Sequence, residues 1–157
     1  MVRSARVEKI ESRTVLIGAD MSAHAPVVIR EGLRMAGLEN ARAIVLHVVD
    51  DRFPYPDLFA VNNPDVDYFQ TLRRAALAKL REWAGSNAGT SSTELLVARG
   101  KPSSVILDVA RERRPDLLVI GAHGLSGARH PHSLGATAER VARSSSVSVL
   151  IVVAGRE

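Results

Sequence analysis

Five short apolar runs, separated by four segments of helical periodicity, leave this chain few folds to choose from. Thr14–Gly18 (TVLIG), Ala43–Val49 (AIVLHVV), Glu94–Ala98, Asp116–Gly121 (DLLVIG) and Ser148–Val153 (SVLIVV) read as strands. Short runs rich in Val, Ile and Leu, without regular polar alternation, suit strands covered on both faces. Ala25, Val28, Ile29, Gly32, Leu33 and Ala36 recur at helical spacing opposite Arg30, Glu31 and Arg34, and Gly37 supplies a stop. A second helix, over 66–84, carries Phe69, Leu72, Ala76, Leu80 and Trp83 on one stripe. The third presents Val105, Ile106, Val109 and Ala110 inward before Pro115, and the fourth presents Leu134, Ala138, Val141 and Ala142. Strict alternation of strand and helix calls for right-handed crossovers and one parallel sheet with helices on both faces.

The expected fold class is therefore α/β, a single domain built on a five-stranded parallel sheet. Met1–Arg13 is expected to be a flexible lead-in to a domain over 14–154. In such sheets the winding reverses once, and ligands sit beyond the carboxyl ends of the strands flanking the reversal. With the spatial order 3-2-1-4-5, those are strands one and four, ending at Ala19-Asp20 and Gly121.

Composition narrows the functions. Aromatics are only 4%, so the core is aliphatic. There is no cysteine, which excludes disulfides, thiolate zinc sites and cysteine nucleophiles. No apolar run approaches the roughly 18 residues of a membrane helix, and the mixed-charge opening segment does not resemble a secretory signal. A cytoplasmic location is expected, without membrane association. The net charge is +4, but the arginines are scattered among acidic residues (Arg30-Glu31, Arg81-Glu82, Arg111-Glu112), which describes a solvated surface rather than a nucleic-acid groove.

The pieces TVLIGADMS at 14–22, IVLHVVD at 44–50, GKPSSVILDVA at 100–110, DLLVIGAHG at 116–124, LGATAERVARSS at 134–145 and SVLIVV at 148–153 come in an order and separation that resemble the universal stress protein family. The resemblance implies a Rossmann-like fold, a role in stress survival and a homodimer paired through the last strand, Val149–Val153. Some members bind ATP and others do not. The marker of the binders is G-x-x-G, about nine residues, then Gly followed by Ser or Thr.

Gly121-Ala122-His123-Gly124 matches the first half of that marker, and Gly135-Ala136-Thr137 the second with two departures. Ten residues separate Gly124 from Gly135, and Ala136 stands where a hydroxyl is expected. Glycines here are expected to admit positive φ and close approach of a ligand, and N–H groups entering the next helix to favour phosphate. The site carried over by resemblance comprises Ala19, Asp20, Val48, Ile120, Gly121, His123, Gly124, Gly135, Ala136 and Thr137, for ATP or another adenine nucleotide. Asp20 would accept hydrogen bonds from ribose or base, or else serve only as a turn aspartate; Val48 would pack on adenine, or else only in the core. Ser22 reads as a cap for the first helix.

No general acid–base pair or complete P-loop is visible, so no catalytic residue is assigned. Lys101 in GKPSS lacks the upstream glycine of a P-loop and reads as a strand-to-helix turn. His123, His130 and His132 match no familiar ligand spacing, so no metal is expected. Five of the six aromatics fall between 53 and 69; the 53–67 loop is a surface for an unknown protein partner, or an apolar plug. The expectation is a nucleotide-responsive stress-response dimer rather than an enzyme, the alternative being a chaperone-like interaction protein of the same family without nucleotide.

Overall fold

The computed structural model describes residues 13–50, 67–88, 90, 92–124 and 133–154. Its elements alternate as β1 (Thr14–Gly18), α1 (Ala25–Leu38), β2 (Arg42–Val49), α2 (Tyr68–Ala84), β3 (Thr93–Arg99), α3 (Pro102–Arg113), β4 (Leu117–Gly121), α4 (Ala136–Ser144) and β5 (Ser148–Val152). All four strand pairings are parallel, in the order β3-β2-β1-β4-β5. The expected topology is present. Gly18 at the end of β1 lies opposite Ile120 of β4, so the two strand tips are immediate neighbours.

Successive side chains of a strand point to opposite faces, and the core divides accordingly. Val15, Ile17, Val45 and Val49 pack with α1 and α2 through Ile29, Leu72 and Leu80. Leu16, Leu46, Val48 and Ile120 pack with α3 and α4 through Ile106, Ala110 and Val141. Helix α1 comes unusually close to β1: a β-carbon placed on Gly32 would lie 2.5 Å from Ile17 Cγ1. Glycine is required there by contact, not by backbone angle.

Several local expectations are corrected. Gly37 does not stop α1; the helix runs to Leu38, and Asn40 takes the left-handed turn at φ 49°. A short polar side chain tolerates that conformation better than most. On α3 the buried stripe is Ser103, Ile106, Leu107 and Ala110, while Val105 and Val109 are only partly covered. Helix α4 starts at Ala136 and buries only Ala138 and Val141, leaving Leu134 and Ala142 exposed. A helix this short presents only two turns to the sheet. Val153 lies beyond β5 and is 72% exposed. Helix α2 begins two residues later than expected, where the Asp67 side chain accepts from the Gln70 N–H.

Candidate functional site

The sheet's carboxyl edge opens into a cleft of about 1120 Å³ beyond the tips of β1, β2 and β4. It is bounded by the first turn of α3 and by α4 along its length. All ten residues expected from the sequence line it, with Ala19, Val48 and Ile120 nearly covered, at 6%, 7% and 3% exposure. The topology explains the convergence. Every crossover helix starts where a strand ends, so helix N-termini and strand tips share one edge.

Asp20 follows β1 by two residues. Its Oδ1 accepts from the Ser22 hydroxyl at 2.6 Å and the Ser22 N–H at 3.1 Å. Its Oδ2 is buried and has no hydrogen-bond partner among the described residues. Buried polar atoms are almost always paired, and an ionised carboxylate oxygen is among the more unfavourable to leave bare. The turn role of Asp20 is thus met through Oδ1, and Oδ2 takes no part in it. Ser22 is not the N-cap of α1; that position is His24, which makes no side-chain cap bond. Ser22 instead receives the His24 N–H at 3.3 Å and gives its own hydroxyl to Asp20, fixing the carboxylate.

Gly124 lies against the bare oxygen, 2.9 Å from Asp20 Oδ2 to where its β-carbon would be. Gly135 packs on the same tip: its N–H donates to Ala122 O at 2.8 Å, and a β-carbon would stand 3.3 Å from that oxygen. The expected positive φ is not found at Gly121, Gly124 or Gly135; among the described glycines it occurs at Gly85 and Gly100. These three glycines serve close approach alone. The longer separation from Gly124 does not displace Gly135, which is the N-cap of α4.

Helix α4 begins its own hydrogen bonding with Glu139 N–H to Gly135 O at 2.9 Å, and no side chain caps it. The N–H groups of Ala136, Thr137 and Ala138 are therefore free of intrahelical bonds and lie at the cleft. The missing hydroxyl at Ala136 leaves this backbone array intact. His123 Nε2 donates to Ser133 O at 2.6 Å, which fixes the proton on that nitrogen. It ties the tip of β4 to the chain entering α4, a role the sequence did not suggest. His130, His132 and the 53–66 stretch lie outside the described residues.

Two residues escaped sequence reasoning. His47, on β2, is 4% exposed, and its Nδ1 lies 2.9 Å from Ala19 O. A carbonyl only accepts, so Nδ1 carries the proton and His47 holds the residue before Asp20. Burial lowers the His47 pKa below 6.5, opposed by the Ala19 hydrogen bond and the nearby Asp20 charge. Ser103 is the other, 3% exposed at the start of α3. Among the described residues no group of three or more His, Asp or Glu side chains is placed to hold a metal, and no helix is long and apolar enough to cross a membrane.

Comparison with known proteins adds an independent line. A sequence model described as the universal stress protein family matches residues 11–153. A universal stress protein of Thermus aquaticus is 29% identical over 140 residues, covering 89% of this chain and 98% of that one. The solved structure of universal stress protein UspA from Lactobacillus plantarum superposes with a TM-score of 0.67 at 26% identity, over 89% of this chain and 97% of that one. A universal stress protein crystallised in complex with cAMP gives a TM-score of 0.65 at 27% identity, over 90% of this chain and 97% of that one.

Proposed function

We propose that this chain, which belongs to the universal stress protein family, binds an adenine nucleotide in the crevice between β1 and β4 and signals its occupancy as a cytoplasmic stress-response dimer. One observation carries the reading. Asp20 Oδ2 is buried without a partner beside a glycine that leaves it no room for any side chain. A ribose or base donor entering there completes an acceptor that the fold alone leaves unsatisfied.

The rest of the crevice fits the same ligand. Val48 and Ile120 offer apolar contact for a base. The open N–H groups of Ala136 and Thr137, with Gly124 and Gly135 giving close access, suit phosphate at the positive end of α4. That a relative of 27% identity was crystallised with cAMP supports the adenine class. Loss of one neutral hydroxyl at Ala136 weakens binding by up to about tenfold without abolishing it.

The dimer would form through β5, an edge strand in which Val149, Leu150, Ile151 and Val152 are only half-buried. An apolar edge of this kind invites pairing, and a symmetric pair would satisfy its outer backbone groups.

Calorimetric titration of ATP, ADP and AMP against the purified chain tests the nucleotide reading. Binding at micromolar to submillimolar concentration that disappears in Gly124→Val is the expected result. No heat of binding for any of the three would leave the chaperone-like alternative in its place.

A further inference from the structure

The inward stripe of α3 is Ser103, Ile106, Leu107 and Ala110, spaced i, i+3, i+4, i+7. Such a stripe faces the sheet, and three of its four members are apolar. The fourth is a serine, 3% exposed, at the end of the stripe nearest the cleft. A serine this close to a helix start commonly bonds the first-turn backbone. Here its hydroxyl makes no hydrogen bond with the described residues; the first-turn bonds are the N–H groups of Ser104 and Val105 to Lys101 O, both at 3.0 Å.

Its height above the sheet follows from its neighbour. Ile106 Cδ1 lies 3.4 Å from where a β-carbon on Gly18 would be, so Ile106 sits over the end of β1. Helix α3 runs against the strand direction. Ser103, one turn earlier, therefore stands about 5 Å beyond the strand end. Asp20, two residues past Gly18, reaches about 7 Å at most in that direction. Ser103 and Asp20 therefore lie at similar height, and both line the cleft.

The sheet order fixes what lies between them. The β4 tip and the α4 N-terminus are on one side of Asp20, and the β2 tip with Val48 is on the other. A nucleotide with its phosphate at α4 and its sugar at Asp20 directs its base over Val48, beneath the first turn of α3. Ser103 brings a side-chain hydroxyl to that compartment.

We infer that Ser103 is a specificity-determining residue whose hydroxyl donates a hydrogen bond to a ring nitrogen of the bound purine. This rests on the nucleotide reading above and adds the edge by which the base is recognised. The side chains of Val48 and Ile106 have no group with which to tell one base from another by hydrogen bonding, and Ser103 supplies a side-chain donor on the helix side.

The experiment titrates AMP and its 1-deaza, 3-deaza and 7-deaza analogues against wild type and Ser103→Ala. Alanine suits both the helix and the apolar stripe, and a melt no lower than wild type checks the fold. Ser103→Ala is expected to weaken AMP about two- to tenfold, the worth of one neutral hydrogen bond. One deaza analogue should lose the same factor on wild type and nothing further on Ser103→Ala. AMP binding unchanged in Ser103→Ala, or analogue losses identical in both proteins, overturns the assignment while leaving the nucleotide site standing. Absence of any AMP, ADP or ATP binding to wild type overturns both.

Discussion

Asp20 and Gly124, more than 100 positions apart in the chain, meet so closely that a β-carbon on the glycine would stand 2.9 Å from the carboxylate's Oδ2. That oxygen is the buried side-chain acceptor left unpaired among the described residues. The contact exists because β1 and β4 are adjacent in the sheet although separated by three crossovers in sequence. Two consequences can be measured separately, one at each residue.

Gly124→Ala needs no change of backbone conformation, since Gly124 does not have positive φ. Its methyl would push on Asp20 Oδ2, while Oδ1 is held by Ser22. Stability should fall by about 1 kcal/mol, at the low end of overpacking effects. Nucleotide affinity should fall at least about tenfold. Chemical denaturation and calorimetry on the same preparation give both numbers; equal affinity in the two proteins would detach Gly124 from the site.

Asp20→Asn keeps an acceptor for Ser22 and replaces the bare anionic oxygen with a neutral group. The ligand-free protein should melt at the same temperature as wild type or higher, because a buried anionic oxygen without a partner has been removed. The stabilisation conferred by ATP should shrink, with affinity lost by about ten- to a hundredfold, as for a hydrogen bond to a charged acceptor. Thermal shift with and without ATP reads both. A large drop in the ligand-free melting temperature would show that Asp20 serves the fold rather than a ligand.

How much of this was open to a reader of the sequence follows from what each signal depends on. The strands were legible because each is a concentrated apolar run, and their parallel pairing because helical periodicity separates them. Asp20 and Gly124 were legible as unusual residues at the tips of strands one and four. Ser103 was not, because serine in a first helical turn is ordinary; only the packing of Ile106 over Gly18 shows which way that turn faces. His47 was hidden inside an apolar run, and its partner Ala19 O lies 28 positions away. The inward face of α4 was overextended because periodicity cannot see that the helix starts only at Ala136. The positive φ expected at Gly124 and Gly135 does not occur, and their crowding against Asp20 and Ala122 is a tertiary fact that no local pattern carries.

Gly32→Ala tests the other close approach, between α1 and β1. The added carbon would meet Ile17 Cγ1 at 2.5 Å and Cδ1 at 2.6 Å, in a side chain that is fully buried. Overpacking of this kind costs about 1–3 kcal/mol, and better helix propensity returns up to about 1 kcal/mol. A net loss of stability is expected, with nucleotide affinity little changed, because Ile17 does not line the cleft. An unchanged denaturation midpoint would mean that α1 lies farther from the sheet.

The β5 edge makes a prediction about assembly. Val153, 72% exposed just past β5, can accept a charge with little effect on the single chain. In a symmetric pair joined along this edge, Val153→Glu would bring two carboxylates towards the interface. Light scattering behind a sizing column should give a dimer for wild type at micromolar concentration and a larger monomer fraction for the variant. A wild-type chain that runs as a stable monomer removes the edge pairing.

His47 sets a pH dependence whose sign follows from its surroundings. Burial holds its folded-state pKa below the ordinary 6.5, with Asp20 and the Ala19 hydrogen bond opposing the shift without reversing it. Above 6.5 the ring is neutral in both folded and unfolded chains and contributes no slope. As pH falls through 6.5 the unfolded chain takes up a proton first, so stability declines until the folded-state pKa is reached. Wild type should therefore lose stability between pH 7 and 5 faster than His47→Asn does, the variant being the less stable of the two at pH 7. Denaturation curves at half-unit intervals provide the comparison. Parallel slopes for the two proteins would mean that His47 titrates alike in the folded and unfolded chains, the Ala19 bond and the Asp20 charge offsetting burial in full.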